Sequence, residues 1–212
     1  RRSWRLRLAS GALDAEPNAA HRAVARLWGA GRLVGCVTQN IDGLHQRGGL
    51  PEEALVELHG NARTTVCLGC GDRQPTAAVL ARVDAGEEAP SCLLCGGILK
   101  LAVTYFGEMM PPGAVDEALD WADRADAVLS VGSTLSVFPA AYVPLRVAQR
   151  GGHEAETGQD SQRAQEGRQF CLPVGTEGAL VHESRGEPDA RHIRELIRSC
   201  PGCSSNKKFC TQ

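Results

Sequence analysis

Leu33-Val34-Gly35-Cys36-Val37, running into Thr38-Gln39-Asn40, is the stretch on which the fold turns. Five apolar residues without polar alternation read as a short parallel strand covered on both faces, and the run stops abruptly in hydrogen-bonding side chains. Just upstream, Ala19, Ala20, Ala23, Val24, Leu27 and Trp28 fall at helical spacing behind Pro17-Asn18, a start signal, so a helix is expected over residues 18–30. The plan recurs further on. Val115, Ala118, Leu119 and Ala122 mark one face of a helix over residues 112–124. The strand Ala127-Val128-Leu129-Ser130-Val131 then enters the polar turn Gly132-Ser133-Thr134. Helix, buried strand and polar turn, twice over, indicate an α/β protein, and in such sheets ligands bind beyond the carboxyl ends of the strands.

Composition sets the outer bounds. The 212 residues are 42% apolar and 23% charged, with 23 Lys and Arg against 25 Asp and Glu, a formal charge of -2. That is the profile of a globular domain with a small appendage, and it offers no electrostatic footprint for nucleic acid or for a basic membrane-binding surface. The charge-free stretch from Ala127 to Leu145 approaches spanning length, but Gly132, Pro139 and Pro144 interrupt it, so no transmembrane segment is expected. The basic opening Arg1-Arg2-Ser3-Trp4-Arg5 is too short and runs too directly into foldable sequence to be taken as a transit peptide. The chain opens on Arg1 rather than Met, from which a processed or partial product is expected.

Four of the nine cysteines form Cys67-Leu68-Gly69-Cys70 and Cys92-Leu93-Leu94-Cys95, each followed by glycine (Gly71; Gly96-Gly97) that lets the chain turn tightly. Two such knuckles supply the four soft ligands of a closed tetrahedral zinc site, structural rather than catalytic. Thiol pairs of this kind belong to a reducing compartment, so a cytoplasmic setting is expected. Cys200 and Cys203, with Cys210 beyond, lack a fourth neighbouring ligand and are read as incidental, and Cys171 is assigned no role.

After the first strand, Gln39, Asn40 and Asp42 place an amide pair and a carboxylate in one turn, which either caps the next helix or serves a ligand. Leu55-Val56-Glu57-Leu58 then delivers His59 at the end of an alternating run, a structural or a catalytic histidine, with Gly60 behind it to leave room for a ligand. From His153 to Gln169 apolar residues are nearly absent, and a disordered tail is expected apart from Ile193, Leu196 and Ile197 at helical spacing.

Thr38-Gln39-Asn40-Ile41-Asp42-Gly43-Leu44-His45, His59-Gly60, the two knuckles, Phe106-Gly107-Glu108 and Val131-Gly132-Ser133-Thr134-Leu135-Ser136 stand in the order and spacing of the sirtuins, and the chain resembles that family over roughly residues 1–152. The resemblance implies an NAD-dependent protein lysine deacylase that transfers the acyl group from acyl-lysine to ADP-ribose and releases nicotinamide. It implies a Rossmann-like doubly wound parallel sheet over residues 1–60 and 98–152, a zinc-binding subdomain over 61–97, and a divergent tail over 153–212. On that reading His59 is the general base, and Asn40 and Asp42 hold nicotinamide, with Gln39 on the ribose hydroxyls. Gly132, Ser133 and Thr134 line the cofactor's ribose and phosphate. Val103, Tyr105, Phe106, Gly107 and Glu108 bind the acyl-lysine peptide, Val103 to Gly107 by strand addition.

The chain departs from the family in lacking its opening strand with a Gly-Ala-Gly loop, its Asp-Phe-Arg segment and its later Asn-containing turn, while Gly132-Ser133-Thr134 stands where Gly-Thr-Ser is usual. The first strand of a doubly wound sheet is central, so an uncovered apolar edge and weak NAD binding by this chain alone are expected. The alternative is a catalytically impaired sirtuin fragment acting as a zinc-stabilised peptide-binding module.

Overall fold

A computed structural model describes residues 2–133, 135, 137–157 and 177–181. Strand β1, Leu33–Thr38, forms where the apolar run requires it, with all but Val34 of its six residues buried. Helix α2, Ala19–Gly29, precedes it. The Asn18 side chain accepts the backbone N–H groups of Ala20 and His21, while the His21 ring reaches back to the Asn18 N–H, so two of the helix's orphan donors and its cap are satisfied reciprocally.

Helices cover both faces of β1. On one side Leu33 and Cys36 meet Val24, Leu27 and Trp28 of α2. On the other, Val37 packs with Val56, Leu58 and Val128 against Trp121 and Ala122 of helix α5 (Ala114–Arg124) and Val143 and Val147 of helix α6 (Tyr142–Gln149). Gly35 makes this second contact possible, because a Cβ there would lie 2.1 Å from a Trp121 ring carbon. The apolar stretch from Ala127 to Leu145 resolves into strand β6 (Ala127–Val131), a turn and the start of α6, with Pro144 in the first helical turn where no N–H is needed. No helix among the described residues is long and apolar enough to cross a membrane.

The sheet has five strands in the order β2 (Leu55–Glu57), β1, β8 (Glu177–Val181), β6, β7 (His153–Thr157). β1 runs parallel to β2 and β6 parallel to β7, as the doubly wound reading requires. The centre differs from expectation. β8 lies between β1 and β6, antiparallel to both, so the edges expected to stand uncovered are paired. Residues 153–157 and 177–181 are therefore strands, not the disordered tail that their surroundings led us to expect. Backbone pairing is the physical reason: two strands lying apart in a sheet present rows of N–H and C=O groups, and any short segment able to extend can satisfy them. Ile193, Leu196, Ile197, Cys171, Cys200, Cys203 and Cys210 lie outside the described residues.

The second lobe is a three-stranded antiparallel sheet, β4 (Arg73–Pro75), β3 (Gly60–Cys67), β5 (Leu99–Val103), with helix α4 (Thr76–Asp84) against it. Cys67, Val79, Cys92 and Leu99 form its core, and Trp4 of helix α1 (Arg2–Ser10) packs on them. The lobe thus extends beyond residues 61–97: it recruits β5, and it recruits α1 from the far end of the sequence.

Candidate active site

The site is assembled at the carboxyl ends of β1, β2 and β6. The Thr38 carbonyl accepts the Leu58 N–H at 2.9 Å and its hydroxyl accepts the Asn40 N–H at 3.0 Å, which bends the chain sharply out of the sheet. Asp42 then accepts the Leu44 N–H at 2.9 Å, opening the short helix α3 (Leu44–Arg47). Between them Gly43 is left-handed (φ 65°), and a Cβ there would meet the Arg63 side chain at 2.8 Å. Asp42 thus closes the turn, which leaves Gln39 and Asn40 half-buried at the rim.

His59 sits beside that turn. Its Nδ1 lies 3.0 Å from the Gln39 carbonyl oxygen, which can only accept, so Nδ1 carries the proton and Nε2 is the basic nitrogen. The Gln39 side-chain amide points the other way, 3.4 Å from the Ser133 hydroxyl, and joins the first strand-end turn to the second. Ser133 also accepts the N–H of Leu135, which is itself left-handed (φ 51°). Beneath this bridge lies a shallow, solvent-open cleft, lined by Gln39, Ser130 and Ser133 and floored by Val37, Leu58 and Val128. Gly132 is left-handed (φ 64°) at the turn, and Thr134 lies outside the described residues.

Gly60 does not leave room for a ligand, contrary to the sequence reading. It is left-handed (φ 73°), and the space a Cβ would need is occupied at 2.1 Å by the Ala102 carbonyl of β5. The close approach brings the 103–108 segment to the histidine: Val103 pairs with Gly60, and the Thr104 N–H donates to the His59 carbonyl at 2.9 Å. The strand nevertheless ends at Val103. Tyr105, Phe106 and Gly107 form an exposed turn, because Glu108 folds back to accept both the Tyr105 N–H (3.0 Å) and the Lys100 ammonium (2.6 Å). These two donors hold the Glu108 carboxyl below its usual range.

Cys67, Cys70, Cys92 and Cys95 converge, their sulfurs all within 4.8 Å of one another. The Cys67–Cys95 and Cys70–Cys92 separations are 3.5 and 3.7 Å. Tetrahedral zinc with Zn–S bonds of ~2.3 Å needs sulfurs about 3.8 Å apart, so the cluster fits that ion. Gly71 and Gly96 take the left-handed turns that the knuckles demand, and Gly97 leaves space that a Cβ would take from Cys67 Sγ at 2.8 Å. Hydrogen bonds from the backbone of Cys70 and Gly69 pull the Cys67 thiol down to about 6.

Three residues of the site were not singled out from the sequence: Glu57, Asn61 and Arg63. Glu57 was legible in principle, since it stands two residues before His59 in an alternating run and such neighbours share one face.

Comparison with known proteins places these features together. NAD-dependent protein deacetylase 2 of Streptomyces coelicolor is 52% identical over 141 residues, covering 66% of this chain and 58% of that protein. An NAD-dependent protein deacylase of Thermococcus kodakarensis is 42% identical over 155 residues, covering 72% and 58%. Among solved structures, a Sir2 with a p53 peptide and NAD+ matches with TM-score 0.64 at 34% identity, covering 68% of this chain and 59% of that one. A Sir2 bound to a propionylated peptide matches equally well, at TM-score 0.64 and 34% identity over 68% and 60%. The chain thus spans somewhat more than half the length of the relatives it matches. The Sir2 family profile matches residues 3–139, well over half the sequence and all of the site just described: the chain belongs to the Sir2 family.

Proposed function

We propose that the chain carries the acyl-transfer site of an NAD-dependent protein lysine deacylase. The observation that carries this reading is the double use of Gln39: its carbonyl sets the His59 tautomer while its side chain reaches Ser133, so one residue joins a base to two strand-end turns at the rim of the cleft. The curated relatives' names, NAD-dependent protein deacetylase and deacylase, support it.

NAD, when bound, supplies the ADP-ribosyl group that accepts the acyl oxygen once nicotinamide departs. The half-buried polar groups at the cleft rim suit its nicotinamide and ribose end: Asn40 and Asp42 would hold the amide ring, Gln39 the ribose hydroxyls, and Gly132 with Ser133 the adjoining phosphate side. With Nδ1 engaged, His59 Nε2 takes the proton from a hydroxyl brought within reach, work that general bases supply at ~10²–10⁴-fold. The acyl-lysine peptide is placed along the 103–108 segment. β5 is an edge strand of its sheet and offers backbone groups for strand addition, while Tyr105, Phe106 and Glu108 flank the entry. The four thiolates hold one structural zinc, and their chemistry favours a reducing, cytoplasmic setting.

His59→Ala is expected to abolish NAD-dependent deacetylation of an acetyl-lysine peptide while zinc stays at one per chain. Retained turnover would remove His59 from the mechanism. One observation favours the alternative of a zinc-stabilised peptide-binding module. Dinucleotide sites place the pyrophosphate where a central parallel strand turns into a helix, whereas here β8 runs the other way and sets Glu177 beside Thr38 and Val131 at that rim. Calorimetry separates the two readings: heat on adding NAD supports the enzyme, and heat with acetyl-lysine peptide alone supports the module.

A further inference from the structure

Glu57 ends β2 half-buried, and neither the acyl-transfer chemistry nor the zinc site employs it. One of its oxygens accepts two amides from different elements: Gln46 Nε2 of α3 at 3.0 Å and Asn61 Nδ2 of β3 at 2.6 Å. Asn61 in turn accepts the Arg63 N–H at 2.8 Å, and Arg63 Nε donates to the Asp42 carbonyl at 2.6 Å. The Asp42 side chain opens α3, the helix that carries Gln46. The bonds and the intervening backbone therefore close into a ring, from Glu57 through Asn61, Arg63, Asp42 and α3 back to Glu57. Gly43 sits inside it with no space for a Cβ, and the Ala62 N–H to Ile41 carbonyl bond (2.7 Å) crosses it.

We infer that Glu57 is a positioning residue: through Gln46 and Asn61 it ties α3, the helix that the Asn40–Asp42 turn opens, to β3, the strand that follows His59. It touches no reacting atom. What it fixes is the placement of α3 and the polar turn against β3, beside the base that Gln39 holds, in concert with the Arg63 and Ala62 bonds to the turn. Both amides use the same oxygen, so a carboxamide in its place can accept them equally, while a methyl group accepts neither.

The inference rests on the deacylase reading for its kinetic arm alone, and the test keeps the two apart. Wild type, Glu57→Gln and Glu57→Ala are compared as zinc-loaded full chains by amide hydrogen exchange at Leu44 and Ala62, and by deacetylation of an acetyl-lysine peptide with varied NAD. In Glu57→Ala exchange at both amides should rise about tenfold or more while β6 amides stay unchanged. KM for NAD should rise about tenfold with a smaller change in kcat, since the turn is displaced and the His59–Gln39 bond is not. Glu57→Gln should restore both readouts to near wild type. Wild-type exchange in Glu57→Ala, or a Glu57→Gln variant as impaired as the alanine, overturns the inference. Exchange that accelerates uniformly over the sheet in Glu57→Ala also overturns it, since that marks general loosening. If the wild-type chain shows no NAD turnover, the deacylase reading falls and the exchange arm decides the role of Glu57 by itself.

Discussion

At the scale of single residues, two glutamates near the cleft respond to pH in opposite senses. Burial raises the Glu57 carboxyl above its usual 4.5, so the folded chain binds this proton more tightly than the unfolded one. Its contribution to stability is present in acid and is lost as pH rises from the ordinary value through the raised one. Glu108 is the reverse: Lys100 and the Tyr105 N–H depress it, so its contribution is present above 4.5 and is lost as pH falls through the lower folded value. Melting temperatures should follow. Relative to Glu57→Gln, wild type loses ground as pH rises above about 4.5, whereas relative to Glu108→Gln it loses ground as pH drops below it. Parallel pH profiles for the two pairs would contradict this assignment. Gly60 gives a second test at this scale. Gly60→Ala places a Cβ on the Ala102 carbonyl in a left-handed conformation, and a loss of about 2–4 kcal/mol is expected in denaturant titration. The sequence disclosed His59 and the amide turn because their residue types are unusual at strand ends. It did not disclose what Gly60 is for, since a glycine admitting a ligand and one admitting a neighbouring carbonyl look alike until the strands are paired.

At the scale of elements, the legible parts were those with a local signature. The run Leu33–Val37 became β1, Asn18 capped α2, and the thiolate knuckles formed the core of the small lobe together with Val79 and Leu99. Less legible were the ends. The segment after Val103 has the composition of a strand, but Glu108 folds it into a turn through a side-chain contact that no periodicity encodes. The β1–α5 contact supplies the prediction here. Gly35→Ala must push Trp121 off the sheet, at an expected cost of about 1–3 kcal/mol, visible as a lower melting temperature with a changed tryptophan emission. The small lobe depends on its ion in the same way. Zinc binding is typically worth about 10–16 kcal/mol, so chelation or Cys92→Ala should unfold α4 and the β3–β5 pairing, read as lost helical circular dichroism.

For the whole molecule, the α/β plan was visible from two helix–strand–turn repeats and its doubly wound form was implied by the family resemblance, but the identity of the central strand was not visible. Glu177–Val181 follows the polar segment 153–169 and reads with it as tail although Ala179, Leu180 and Val181 are apolar, and the pairing groups left between β1 and β6 explain its placement. A chain ending at Thr157 should therefore lose cooperative melting of the large lobe while retaining one zinc in the small one. If its melting transition matches that of the full chain, β8 adds nothing to the sheet.

The placement of that strand also bears on how the chain is made. Cys36 pairs with Ala179 across about 140 residues of sequence, a separation that makes closure slow and leaves its partners waiting. During synthesis the small lobe, whose parts lie between α1 and β5, can close early around its metal. The large sheet cannot. β1 must stay unsealed on the side facing β6 until residues 177–181 have been translated. Between the completion of β5 and the arrival of β8 the nascent chain is thus a closed zinc lobe carrying an open half-sheet, the state in which a chaperone would find it.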